Sequence, residues 1–142
     1  MKKYGYTLTE LIVAIAIIAV VSSSAIVSFS LLGSRQLDAD ARRIVFDMGW
    51  ARELSSAGHQ NYIIDFDLIN ERYIIYRNSV GPGNEIKRQK LSVDLSSVAP
   101  LPAQIQFSYP KGTAQTKDII LNHQGKTKQI SVFAQTGYAK IQ

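Results

Sequence analysis

Residues 11–32 read LIVAIAIIAVVSSSAIVSFSLL, 22 residues without a charge, of which 11–21 hold only Leu, Ile, Val and Ala. As a helix rising about 1.5 Å per residue, this stretch would span about 33 Å, enough to cross a hydrocarbon core of about 30 Å. Setting it aside leaves material for one small domain in a chain of 142 residues. With 46% hydrophobic and 19% charged residues, the chain is too apolar for a disordered tail. It is also too short for a polytopic transporter or a large enzyme. There is no cysteine, which excludes disulfides, thiolate zinc sites and cysteine nucleophiles. The two histidines, His59 and His123, leave little material for histidine metal sites or triads.

Working outward, the N-terminal flank carries Lys2 and Lys3, and Glu10 is the only charge between Tyr4 and Ser34. Residues 33–100 hold nine basic and nine acidic side chains and cancel. Residues 101–142 set Lys111, Lys117, Lys126, Lys128 and Lys140 against Asp118 alone. The formal net charge of +5 therefore belongs to the first few residues and the C-terminal third.

An ordinary secretory signal has a basic start, a short apolar run and a small-residue cleavage site. Ser22-Ser23-Ser24-Ala25 follows an apolar run, but apolar character resumes at Ala25-Ile26-Val27 and continues to Leu32. A carboxylate, Glu10, also stands at the start of the run, where an unpartnered charge is costly. A cut between Gly5 and Tyr6 would make Tyr6 the first residue and Glu10 the fifth. In a helical stack, Glu10 of one subunit would then pair with the new amine of its neighbour and fix axial register.

Lys2-Lys3-Tyr4-Gly5, then Tyr6-Thr7-Leu8-Thr9-Glu10 and the charge-free helix, resembles the class III signal of type IV pilins and pseudopilins. Tyr6 departs mildly from the commoner Phe. The resemblance implies a prepilin peptidase cutting after Gly5 and methylation of the Tyr6 amine. It implies a helix held by membrane lipid until assembly, then forming the filament core with other pilins or pseudopilins. It gives three segments: a leader (1–5), an apolar transmembrane or filament-core helix (6–33) and a globular pilin-like domain (34–142). The expected location is the cell membrane, single-pass with the domain extracytoplasmic, and the cell surface or periplasm once assembled.

Beyond Gly33 an amphipathic helix is predicted to about Ala57. Leu37, Ala41, Ile44, Met48 and Ala51 recur at three- and four-residue steps, and Phe46, Trp50 and Leu54 form a second stripe. The first stripe should pack on the chain's own sheet; the second packs either there or on a neighbouring subunit. Asp38, Asp40, Arg43 and Asp47 occupy other faces. Gly58-His59-Gln60-Asn61 reads as the helix stop, with His59 in a solvated turn.

The remainder is strand-rich. Residues 62–66 and 72–76 are β-prone and form a hairpin across Asp67-Leu68-Ile69-Asn70-Glu71. Residues 80–84 are a break, and 85–92 an edge strand guarded by Lys87, Arg88 and Lys90. Further strands are expected at 105–109 and 118–122, and a final hairpin at 129–141 around Thr136-Gly137. The fold class is α+β: a long N-terminal helix on a small antiparallel sheet. The helix end containing Arg52, the first hairpin, Leu101-Pro102 before Ile105 and Phe107, Gly125, and Ile130-x-Val132 before Thr136-Gly137 resemble minor pseudopilins of the GspH/FimT and competence ComGD kind.

No G-x-S-x-G elbow and no motif joining a histidine to an acid supports a hydrolase, and there is no P-loop. No enzyme activity, cofactor or metal is expected, and a separate ATPase and membrane platform would drive assembly. Asp65 and Asp67 should share one side of a strand, read as a solvated face with a calcium pair as the alternative. Lys111, Lys117, Lys126 and Lys128 near Tyr109 and Tyr138 make DNA an alternative partner through phosphate contacts and base stacking. The expected function is a minor pseudopilin in a type IV pilus-like filament for DNA uptake in natural transformation. The alternative is type II protein secretion or another type IV pilus.

Overall fold

The computed structural model describes residues 7–142, and for 23–32 the helical backbone alone. Lys2, Lys3, Gly5 and Tyr6 lie outside the described residues. The chain divides into two units at the bond between Gly33 and Ser34. One helix, α1 (Leu8–Gly58), contributes to both.

In the first unit the apolar side chains from Leu11 to Val21 are exposed. Among the described residues no helix is long and apolar enough to cross a membrane. The side chains described in the charge-free run end at Ser22. That is about a dozen residues, where a span needs about 20.

The second unit carries eight strands: β1 (Tyr62–Asp67), β2 (Arg72–Arg77), β3 (Glu85–Lys90), β4 (Asp94–Ala99), β5 (Gln104–Phe107), β6 (Lys117–His123), β7 (Lys126–Val132) and β8 (Ala139–Ile141). They form two four-stranded antiparallel sheets, ordered β3-β2-β1-β5 and β4-β6-β7-β8, rather than the single small sheet expected. The extra strand is β4, paired with β6 through a register shift between Leu95 and Ser97. That bulge breaks the period-two pattern and hides the strand. The β6–β7 turn needs positive φ at both central residues, and Gln124 (51°) and Gly125 (76°) supply it.

The stripe Leu37, Ala41, Ile44, Met48 and Ala51 is buried, at 2% exposure or less. It shares one core with Ile64, Phe66, Tyr73, Ile75, Ile105 and Phe107 of one sheet and Leu95, Ile119, Leu121, Ile130 and Val132 of the other. Of the second stripe, Trp50 and Leu54 are partly buried against this core while Phe46 is 73% exposed. The helix acids differ from expectation. Asp40 and Asp47 are buried and act as anchors. Asp40 Oδ2 accepts the Ser92 N–H at 2.6 Å, and Asp47 accepts Tyr73 Oη–H and Lys87 Nζ–H, each at 2.7 Å. A buried carboxylate is tolerated when such donors meet it.

At the far end of α1 the Ser55 hydroxyl donates to the Phe107 carbonyl at 3.0 Å. Arg52 Nε donates to the Thr136 carbonyl at 2.7 Å, and its guanidinium lies 4.2 Å from the centre of the Tyr138 ring. Gly112 and Gly137 meet beside this arginine, and both have positive φ. His59, at φ 56°, closes the helix and its ring stands 4.7 Å from that of Tyr109.

Candidate functional site

Glu10 sits in the first turn of α1. Its Oε2 accepts the Thr7 N–H at 2.9 Å and the Thr7 hydroxyl at 3.0 Å, and its own N–H donates to Thr7 Oγ1 at 3.3 Å. This is a reciprocal capping box, which satisfies donors that a helix start otherwise leaves without partners. The positive end of the helix dipole favours a carboxylate here as well. Within one chain, then, Glu10 has a local partner that reading it as a lone charge missed. The signal was present, since Thr7-Leu8-Thr9-Glu10 is a Ser/Thr-x-x-Glu pattern ahead of an apolar run.

The four basic residues expected to form a nucleic-acid surface are not brought together. Lys117 is 1% exposed, and its Nζ donates to the carbonyls of Pro100 and Pro102, the latter at 2.8 Å. It begins β6 and shares the inward face with Ile119 and Leu121, which the strand period dictates. Burial lowers its pKa from the usual lysine range. Its Nζ is enclosed on these carbonyls and does not reach a phosphate in solvent, and its expected role is corrected on that ground.

Lys126 donates to the Ser34 hydroxyl, and Lys128 forms an ion pair with Asp38, whose carboxyl it holds below the usual range. Lys111 lies at the other end, next to Gly112, which abuts Arg52 and Ser56. Ser34 and Arg52 are about 27 Å apart along α1 at 1.5 Å per residue. Lys111 therefore does not extend the Lys126–Lys128 cluster. Tyr138 is occupied by Arg52 and Tyr109 by His59. Asp65 and Asp67 are both half-buried rather than on a fully solvated face. Asp67 binds Asn70 and Arg72 within the β1–β2 turn, and these partners hold its carboxyl below the usual range.

The prokaryotic N-terminal methylation motif matches residues 1–26. Among solved structures, the chain is similar to the minor pseudopilin EpsH from the type 2 secretion system of Vibrio cholerae. The two are 10% identical, with 75% of this chain and 96% of that chain covered at a TM-score of 0.58. It is also similar to the type IV minor pilin FimU of Pseudomonas aeruginosa, with 13% identity, 75% and 92% coverage and a TM-score of 0.60. No curated protein matches the sequence. At these identities the structural likeness concerns the fold, and the motif at residues 1–26 is a separate observation.

Proposed function

We propose that this chain, type IV pilin-like by its N-terminal motif and its fold, is a minor pseudopilin, a non-enzymatic structural subunit of a type IV pilus-like filament. It is made as a precursor and cut between Gly5 and Tyr6 by a prepilin peptidase, and the Tyr6 amine is methylated. Residues 6–33 hold it in the membrane as a single pass, with 34–142 outside the cytoplasm. On assembly Glu10 leaves its capping bonds to Thr7 and pairs with the amine of a neighbouring pilin. A separate ATPase and membrane platform supply the work.

The observation that carries this reading is the methylation motif joined to a helix whose first turn holds Glu10. The process we favour is DNA uptake in natural transformation. It is tested by transformation frequency in an in-frame deletion strain complemented with the intact gene or with Glu10→Ala. Rescue by the intact gene alone supports a competence pseudopilin working through assembly. The likeness to EpsH and FimU favours a second reading, protein secretion or another pilus. Normal transformation together with an altered secreted-protein profile or loss of surface pili in the deletion strain selects it.

A further inference from the structure

We infer that the end of the second unit around Arg52 is a binding surface for a glycan, a chain of uncharged pyranose sugars that stacks on Tyr109 and Tyr138. The surface lies wholly within residues 34–142, and the inference does not depend on the filament reading.

Three segments meet here: the end of α1 and the loops that hold Gly112 and Gly137, both of which lie against the Arg52 side chain. The Ala114 N–H donates to the Ala134 carbonyl at 3.1 Å and ties the same two loops a second time. Each tyrosine is backed on one side. The Arg52 guanidinium stands 4.2 Å from the centre of the Tyr138 ring, and Arg52 is itself fixed by its bond to the Thr136 carbonyl. The His59 ring stands 4.7 Å from that of Tyr109, whose N–H is fixed on Asn61 Oδ1 at 3.1 Å. Arg52 and His59 are about 10 Å apart at 1.5 Å per residue, a distance that a short oligosaccharide bridges. With one side covered, Tyr138 is still 60% exposed and Tyr109 41%. Phe133, whose N–H donates to the Tyr138 carbonyl at 2.9 Å, is exposed beside them.

The two loops, 108–116 and 133–138, contain no acid and no Val, Leu, Ile or Met. Their rings stand instead among the exposed amides and hydroxyls of Gln115, Thr116, Gln135 and Thr136. That mixture suits a sugar. The C–H groups of a pyranose carry slight positive charge and rest on the negative face of an aromatic ring, while its hydroxyls take hydrogen bonds at the rim. Rings already held by Arg52 and His59 have little freedom left to lose on binding. A protein partner would find no aliphatic side chains in these loops to complete an apolar centre. A nucleic acid would stack on the same rings, but it also needs cations for its phosphates. Lys111 is the one lysine or arginine in the two loops, and Arg52 is turned to Tyr138 and the Thr136 carbonyl.

The test is saturation-transfer NMR on the full chain, held in a detergent without a sugar headgroup, with cellohexaose and N-acetylated chitohexaose as the glycans. The expected result is transfer to the pyranose C–H protons. It should stay within twofold of the parent in Tyr109→Phe/Tyr138→Phe, which keeps both rings, and fall at least fivefold in Tyr109→Leu/Tyr138→Leu, which removes them. Melting is followed on the same samples. If the leucine pair is not folded, the single leucine variants take its place, and each should lose at least twofold. Lys111→Ala should leave the transfer unchanged. Absence of transfer with both glycans, or equal transfer in the folded leucine and phenylalanine variants, overturns the proposal. Binding of a single-stranded oligothymidylate that is released by salt and weakened by Lys111→Ala, without glycan transfer, assigns the surface to nucleic acid and overturns it as well. So does self-association in sedimentation that the leucine variants abolish while no glycan transfer is seen, since the surface then belongs to a second copy. None of these outcomes touches the filament reading, which cleavage after Gly5 and transformation frequency test separately.

Discussion

The Tyr73 hydroxyl donates to Asp47 Oδ2 at 2.7 Å, joining the buried side of α1 to the middle of the first sheet. With Lys87 on the same carboxylate and Ser92 on Asp40, it fixes both the rotation and the axial position of the helix against the strands. A hydrophobic stripe alone would allow the helix to slide. Charge-assisted bonds of defined geometry do not.

Asp47→Ala removes the acceptor of two donors in one step. The Tyr73 hydroxyl is left buried without a partner, while Lys87, with its side chain 36% exposed, rehydrates. We expect a loss of about 2–3 kcal/mol, in the range for hydrogen bonds to charged groups and unsatisfied buried polar atoms. Denaturant midpoints of the full chain in detergent check it, and a loss under about 0.5 kcal/mol, the usual size for a surface change, would contradict the anchoring role.

The same bond sets a pH dependence. Burial and the adjacent Asp47 carboxylate raise the Tyr73 pKa well above its ordinary value of 10.0. The folded chain therefore keeps this proton at a pH where the unfolded chain has lost it. The stabilisation is complete below about pH 10 and declines as pH rises above it, by up to about 1.4 kcal/mol per pH unit. Lys117 has the opposite sign, because its lowered pKa adds stability with rising pH until the unfolded lysine also titrates. Comparing Tyr73→Phe with the parent cancels that contribution. Between pH 9 and 11 the parent should lose stability more steeply than the phenylalanine variant, and parallel curves would refute the assignment.

Much of this arrangement was legible in the sequence. The three- and four-residue spacing of Leu37, Ala41, Ile44, Met48 and Ala51 marked the buried side of the helix, and β-branched and aromatic runs marked the first hairpin. Asp40, Ile44, Asp47 and Ala51 follow the same steps, so the anchors were also on that side in the pattern. Their burial depends on donors from residues 73, 87 and 92, and helical periodicity carries no information about those. Lys117 was misread for a related reason. Its place depends on whether it belongs to the loop or to the first position of β6, and one residue of register moves a side chain from solvent to core.

Gly112 and Gly137 bring two loops against Arg52. A methyl group added at Gly137, where φ is +64°, would sit 2.3 Å from the Gly112 carbonyl oxygen. At Gly125 φ is +76° but nothing lies within 4 Å. Gly125→Ala should therefore cost only the left-handed backbone penalty of about 1–2 kcal/mol. Gly137→Ala must also displace backbone, and its thermal midpoint should fall clearly below that of Gly125→Ala. Equal midpoints would show that the two loops are not held together at Arg52.

The two stripes of α1 separate by their mutational cost. Met48 is fully buried, and Met48→Ala should destabilise by about 2–5 kcal/mol. Phe46 is 73% exposed, and Phe46→Ser should change stability by no more than about 0.5 kcal/mol. If the filament reading holds, Phe46→Ser should still lower incorporation into filaments, because neighbouring subunits would cover that ring. Filament recovery and melting measured on the same variant separate the two effects.

Glu10 allows its two candidate roles to be told apart. Its carboxylate caps the helix through Thr7, and on our proposal its charge later pairs with a neighbour's amine. Glu10→Gln keeps an oxygen that accepts the Thr7 bonds, since glutamine also serves at this position of a capping box, but it removes the charge. Glu10→Ala removes both. If assembly depends on charge, both variants are cleaved after Gly5, as intact mass will report, and both assemble poorly. If the cap is what matters, Glu10→Gln assembles normally and only Glu10→Ala fails. That second outcome would leave the helix start intact as a structural device and remove the ion pair from the assembly mechanism.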